Sequence, residues 1–281
     1  MVIKMNEQEA IKFLTENGYS VTKLNEGIDI DYENKIVKYN PAHQKNVDTS
    51  IEYNTTIDDE LIPGINVWSI FKRKRGERMD GNPLVYALKG ENGWNFSAEE
   101  DKAEIMEQFN KIVKKYVDTH SFDVTLVLPS TNELNMIIAK AVTDKIDNVD
   151  IINDVVCKLT TGDVEDLVMD SNSKFRKYYK GEFNDAFKRL GIYLDKMDVE
   201  CKGTFKRHYI KDTEMRDVLD FTFKKSEDKI AEYANKINDK DVLIIDDTIS
   251  RGQSIKDMVK IIKNTYTPKS ITVLTLFSKL T

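Results

Sequence analysis

The chain has 281 residues, 40% hydrophobic and 32% charged, with a formal net charge of −6 at pH 7. This composition predicts a water-soluble globular protein of one large domain, or one domain plus a smaller one, and the acidic balance disfavours broad nucleic-acid binding. Two cysteines, Cys157 and Cys201, and three histidines, His43, His120 and His208, are scattered without ligand spacing, which argues against a disulfide framework or a zinc site.

Asn6 with Glu9 has the form of a capping box, and Ala10, Ile11, Phe13 and Leu14 then predict a short helix ending near Asn17 and Gly18. Gly27–Asp31 and Lys35–Tyr39 predict two strands around the turn at Glu33 and Asn34. Residues 43–59 are polar and irregular, so the expected internal boundary falls there. Residues 1–59 form a small α+β accessory region in this reading, and 60–281 form the main domain. No apolar run approaches a membrane span, and Met1–Asn6 has no signal-peptide pattern, so the expected location is the cytoplasm.

Ile65–Lys72 and Leu84–Lys89 predict two strands joined by a long basic loop. Lys72, Arg73, Lys74 and Arg75 lie at its start. The plain reading is a solvated hairpin tip; an anionic-ligand lid or an RNA contact are the alternatives. Ser97 with Glu100 predicts a second capping box, followed by a helix with Ile105, Phe109, Ile112, Val113 and Tyr116 on one face.

Phe122–Leu128 predicts a buried strand. It runs into the polar loop Pro129, Ser130, Thr131 and Asn132, and then into helical spacing at Leu134, Ile137, Ile138 and Ala141. Val149–Leu159 predicts a neighbouring strand. Residues 160–215 are too many for a structureless loop. Phe175, Tyr178, Tyr179, Phe183, Phe187 and Leu190 recur there at roughly helical intervals, interrupted at Gly181. These aromatics are either local core or part of a base-stacking pocket. Cys201–Ile210 is basic and contains a glycine. Asp217–Phe223 predicts the next strand, and Ser226 starts a helix carrying Ile230, Tyr233, Ala234 and Ile237. Ser270–Phe277 predicts the last strand.

The most informative stretch is Asp241–Ile255. Four apolar residues, Val242 to Ile245, suit a parallel strand covered on both faces. Asp246 and Asp247 then emerge at its carboxyl end, where ligands bind in such sheets. Thr248, Ile249, Ser250, Arg251, Gly252, Gln253 and Ser254 form a short hydroxyl-rich loop. Ile255, Met258, Val259 and Ile262 continue as one helix face. A loop that enters a helix N-terminus suits a phosphate. Two carboxylates beside it suit hydroxyls or a divalent cation. A sugar phosphate held with magnesium satisfies both.

LIIDDTISRGQS resembles the phosphoribosyl pyrophosphate (PRPP) motif of type I phosphoribosyltransferases: a hydrophobic strand, two acidic residues, then T-x-x-x-G-x-[ST]. VLPSTNELN is similar to that family's pyrophosphate loop in a competence-protein-F-like version. The resemblance covers a little over half of the chain, from about residue 120 onward. It implies an α/β fold with a mostly parallel twisted sheet flanked by helices, and a hood built from residues 60–118 and the 160–215 insertion. It implies that Asp246 and Asp247 are the catalytic pair, which hold the ribose hydroxyls and order Mg²⁺ through its water shell. Thr248 to Ser254 would wrap the 5′-phosphate, and Pro129 to Asn132 the pyrophosphate. Lys206 and Arg207 lie where the family's mobile lid falls and would neutralise the leaving group. Arg251 departs from the usual threonine. Ser250 stands where some purine-salvage members place a third aspartate, which argues against a hypoxanthine-guanine type of mechanism.

The implied activity is transfer of the phosphoribosyl group to a nitrogen nucleophile, a nucleobase above all, with release of pyrophosphate. This is the chemistry of nucleotide metabolism. Its partners would be PRPP and a small-molecule acceptor, with no membrane and no nucleic acid, and family members often form homodimers. The same fold also serves non-catalytic PRPP-binding regulators and competence-type factors, for which Lys72–Arg75 would be a nucleic-acid contact. A dinucleotide oxidoreductase is disfavoured, because no G-x-G-x-x-G follows any strand. Because the acidic pair should stand exposed at a strand end, its replacement is expected to cost little stability.

Overall fold

A computed structural model describes residues 12–13, 16–18, 26–51, 56–58, 60–74, 82–130, 132–219, 221–249 and 252–278. The capping box at Asn6 and Glu9 lies outside them. The chain is a mixed α/β protein with a mostly parallel sheet. Its strands and helices run in the order β1 (Gly27–Asp31), β2 (Ile36–Asn40), β3 (Val47–Asp48), β4 (Thr56–Asp58), β5 (Val67–Arg73), α1 (Asn82–Lys89), β6 (Asn95–Phe96), α2 (Glu99–Val117), β7 (Val124–Val127), α3 (Leu134–Thr143) and β8 (Asp150–Ile152). There follow β9 (Val156–Lys158), α4 (Thr161–Met169), α5 (Lys174–Tyr179), α6 (Phe183–Cys201), α7 (Thr213–Val218), β10 (Phe223–Lys225), α8 (Ile230–Ile237), β11 (Asp241–Thr248), α9 (Gln253–Thr265) and β12 (Ser270–Phe277).

The main sheet has the order β3-β5-β12-β11-β7-β8, with β4 also paired to β5. Strands β5, β12, β11, β7 and β8 are parallel, while β3 and β4 are antiparallel to β5. Strand β11 lies in the middle, and its four apolar residues divide by the two-residue period of a strand. Leu243 and Ile245 join the cluster that holds Phe109, Ile112, Ile138 and Val142 of α2 and α3. Val242 and Ile244 join the cluster under α8 and α9, with Ile237, Met258, Val259 and Ile262. A strand covered on both faces has no polar side, which is why its sequence reads as an unbroken apolar run.

The connections fix where a ligand can bind. From β7 the chain crosses through α3 to β8, outward on one side. From β11 it crosses through α9 to β12, outward on the other side. The strand order therefore reverses between the neighbours β7 and β11. In open α/β sheets the crevice for a ligand opens outside the carboxyl ends of the strands at that point. The two loops singled out in the sequence leave from these two strand ends.

Several elements differ from expectation. Leu84–Lys89 is not a strand: it is the body of the helix α1. Pro83 occupies the first turn, where a missing N–H costs nothing. Gly90, at φ 65°, ends the helix. The Glu91 N–H bonds the Tyr86 carbonyl at 2.9 Å and the Gly90 N–H the Ala87 carbonyl at 3.3 Å, which is the Schellman closure. Asp217–Phe223 is likewise not one strand. It divides into the end of α7 and the start of β10. The stretch 149–159 splits into β8, in the main sheet, and β9, which pairs antiparallel with β10 in a separate ribbon. Helix α2 begins after Ala98 without a side-chain cap, so the box expected at Ser97 and Glu100 is not formed.

The hairpin β1–β2 forms as expected, and β6 adds to β2 in parallel. Ile28 and Val37 are fully buried in the same cluster as Phe109 and Leu243. Residues 159–219 form a third cluster around α4 to α7. Phe175, Tyr179, Phe183 and Leu190 are buried within it and Phe187 packs against it, so these are local core, whereas Tyr178 is exposed. Gly181 sits in the short turn between α5 and α6. No helix among the described residues is long and apolar enough to cross a membrane.

Candidate functional site

A cleft of about 910 Å³ opens at the carboxyl ends of β7 and β11. Its floor carries Asp246 and Asp247. Ser130 and Asn132 stand on one wall, and Thr248, Gly252, Gln253 and Ser254 on the other. Thr131, Ser250 and Arg251 lie outside the described residues. The parallel register sets Ile245 beside Val127, and the Leu128 N–H bonds the Ile245 carbonyl at 3.0 Å. The sheet therefore ends level on both strands, and the two loops start side by side.

On the β11 side, Gly252 takes φ 69° and caps α9. The first bond inside this helix runs from the Lys256 N–H to the Gly252 carbonyl, at 2.9 Å. The amides of its first turn have no acceptor within the helix and carry the positive end of its dipole. Close approach also matters here: a Cβ on Gly252 would fall 2.5 Å from Cδ1 of Leu61. Ile249 plays a different part from its neighbours. Its side chain is buried in the core, its N–H bonds the Phe277 carbonyl at 3.1 Å, and its carbonyl accepts from the Arg73 guanidinium. Ile249 anchors the loop and is not among the residues that line the cleft.

On the β7 side, the Asn132 side chain accepts from the Leu134 N–H at 3.0 Å and donates to Glu91 at 3.3 Å. Asn135, buried at the start of α3, donates to the Leu128 carbonyl at 3.0 Å. Asn135 Oδ1, Thr248 Oγ1 and Thr222 Oγ1 are buried without a hydrogen-bond partner, and all three residues line the cleft. Polar atoms left in this state mark places where a ligand or water completes the bonding.

The acidic pair is not exposed at the strand end: both residues are half-buried. Asp246 accepts from the Asp247 N–H at 2.9 Å. Burial, and then the Asp247 carboxylate beside it, push the Asp246 carboxyl up to about 7; the Asp247 N–H, Lys89 and Asn135 pull the other way. Lys89, at the end of α1, places its ammonium 2.5 Å from Oδ2 of Asp247. Lys158, on β9, also lines the cleft, and its ammonium is pushed down by desolvation and then by the Lys206 charge.

The expected lid residues are both at the cleft, but their segment is tied down. The Phe205 N–H bonds the Leu159 carbonyl at 2.9 Å, and Phe205 and Ile210 are buried. Arg207 is engaged by its own chain: its Nε donates to the Arg216 carbonyl at 2.9 Å. Lys206 lines the cleft. The basic run at 72–75 is not a uniformly solvated tip. Arg73 is buried, 3% exposed, and Lys74 bonds Gln44 at 2.6 Å and pairs with Asp48 at 3.5 Å. Arg75 lies outside the described residues.

Sequence reasoning missed Lys89, Lys158, Arg73, Asn135 and Thr222 as parts of the site or its support. For Lys89 a signal was present, because Pro83 and Gly90 bracket a helix-length segment. Neither the models of known protein families, nor the curated proteins, nor the solved structures give a match to this chain.

Two carboxylates can hold a divalent cation when the oxygens of a bound substrate complete its shell, as magnesium sites commonly require. Among the described residues no group of three histidines, cysteines or acidic residues could hold a metal by itself. The residues therefore fit a cation that is shared with an anionic ligand.

Proposed function

We propose that this cleft binds PRPP and that the protein is a phosphoribosyltransferase with a type I phosphoribosyltransferase-like fold. The observation that carries the reading is the convergence of two loops at one strand reversal. One offers an acidic pair followed by a helix N-terminus, the other a polar turn, and lysines face both. A ligand that matches must carry a phosphate, neighbouring hydroxyls and a second anionic group.

In this reading the Asp246 and Asp247 oxygens accept hydrogen bonds from the two ribose hydroxyls and fix the ring. The first-turn amides of α9 and the Thr248 hydroxyl hold the 5′-phosphate. Ser130, Asn132, Lys158 and Lys206 face the pyrophosphate. The bond from C1 of the ribose to pyrophosphate breaks as a nitrogen of the acceptor bonds to C1. The electron pair leaves with pyrophosphate, where the lysines stabilise the charge. The cleft walls contribute by holding the acceptor in line. Magnesium, when bound with the ligand, would withdraw charge from the departing pyrophosphate.

The test is incubation with PRPP, Mg²⁺ and a panel of purine, pyrimidine and pyridine bases, followed by pyrophosphate release. Turnover with at least one base is expected. PRPP binding without turnover on any base would favour a PRPP-binding regulator instead. Absence of PRPP binding would overturn both.

A further inference from the structure

An ammonium already sits against the acidic pair. Lys89 Nζ lies 2.5 Å from Oδ2 of Asp247, and each side chain is only 14% exposed. The contact is held from both ends. Asp247 is held in β11 by the pairing with β12, which runs on to Thr248, while the pairing with β7 ends two residues earlier at Ile245. Lys89 is the last residue of α1, whose Leu84 and Val85 are buried in the core and whose end is closed by the bonds to Tyr86 and Ala87. A lysine at a helix C-terminus is also favoured by the helix dipole. Lys158 adds a second positive field on the same pair from β9.

A divalent cation placed on Asp247 would stand within a few ångströms of this ammonium. Like charges at that distance in a partly buried cleft repel strongly. Among the described residues no third carboxylate, histidine or cysteine is placed to hold such a cation with the pair, so little offsets the repulsion. A polyanionic ligand changes the balance. Its phosphate oxygens supply ligands to the cation and, at the same time, an alternative partner for the lysine.

We infer that Lys89 is the built-in counter-cation of the acidic pair: it keeps a divalent cation from binding to the free protein and makes cation entry depend on an anionic sugar phosphate that draws the lysine off Asp247. This deepens the PRPP reading by assigning the order in which the site fills. Lys89 is a positioning residue here, acting through Asp247.

The experiment is titration of the full chain with Mn²⁺ alone, without sugar phosphate, at pH 8, following free Mn²⁺ by electron paramagnetic resonance. Wild type should bind Mn²⁺ weakly. Lys89→Met and Lys89→Gln should each bind it at least tenfold more tightly, while Lys89→Arg, which keeps the charge, should stay close to wild type. Circular dichroism checks that each variant is folded. The inference is overturned if folded Lys89→Met and Lys89→Gln bind Mn²⁺ no more tightly than wild type, or if wild type already binds it as tightly as these variants. A failure of PRPP itself to bind would count against the proposed function and leave the Mn²⁺ comparison intact, so the two failures are distinguishable.

Discussion

Arg73 and Ile249, 176 residues apart in the chain, are joined by a hydrogen bond from the buried guanidinium of β5 to the carbonyl of the loop after β11. The same guanidinium donates through Nε to the Ser278 carbonyl at 2.7 Å. One side chain thus ties the end of β12 to the start of the candidate phosphate loop. Arg73 is not among the residues that line the cleft.

Arg73→Met should leave two carbonyls short of a donor in a buried place. Each such loss costs about 1–3 kcal/mol, so a total destabilisation of about 2–6 kcal/mol is expected. The midpoint of urea unfolding should fall with little change in slope. Because the loop loses its anchor, affinity for PRPP should fall as well, although Arg73 does not line the cleft.

Gly252→Ala should weaken the same loop by another route. An alanine at φ 69° costs about 1–2 kcal/mol from the backbone alone, and its Cβ would run into Leu61. The double variant Gly252→Ala with Leu61→Ala removes the overlap but keeps the backbone strain. Phosphate-loop function, read as PRPP affinity, should recover only in part. Full recovery would mean that the conformation of Gly252 is unimportant.

Asp246 gives a pH signature. Its folded carboxyl titrates about 7, above the usual carboxylate value of 3.8. A group raised in this way contributes stability that is fully present below pH 4 and is lost as pH rises through 7. Asp246→Asn should therefore remove this fall. The variant should melt at a higher temperature than wild type above pH 7 and lose that advantage toward pH 4. Thermal unfolding at several pH values checks it. Such a residue would be kept for its chemistry against the interest of stability.

The parallel core was legible because β7, β11 and β12 are buried on both faces and carry apolar runs that few other contexts produce. The two loops were legible because glycine, proline and hydroxyl residues punctuate those runs at strand ends. Lys89 was hidden by its neighbours. Leu84, Val85, Tyr86 and Leu88 read as strand by composition, and only Pro83 and Gly90 bracketed the segment as a helix. Lys158 was hidden because its strand leaves the main sheet to pair with β10, a tertiary choice that local pattern does not encode. Arg73 sat in a run of four basic residues, where alternation in a strand buries one and leaves its neighbours partly open. The acidic pair was legible, but its contact with Lys89 depends on α1, which a strand over Leu84–Lys89 does not supply.

The most direct measurement is a calorimetric titration of PRPP with Mg²⁺ into wild type and into the folded double variant Asp246→Asn with Asp247→Asn. Wild type is expected to bind, and the double variant to bind at least 100-fold more weakly or not at all. Equal affinity in the two proteins would contradict the assignment of the acidic pair to PRPP.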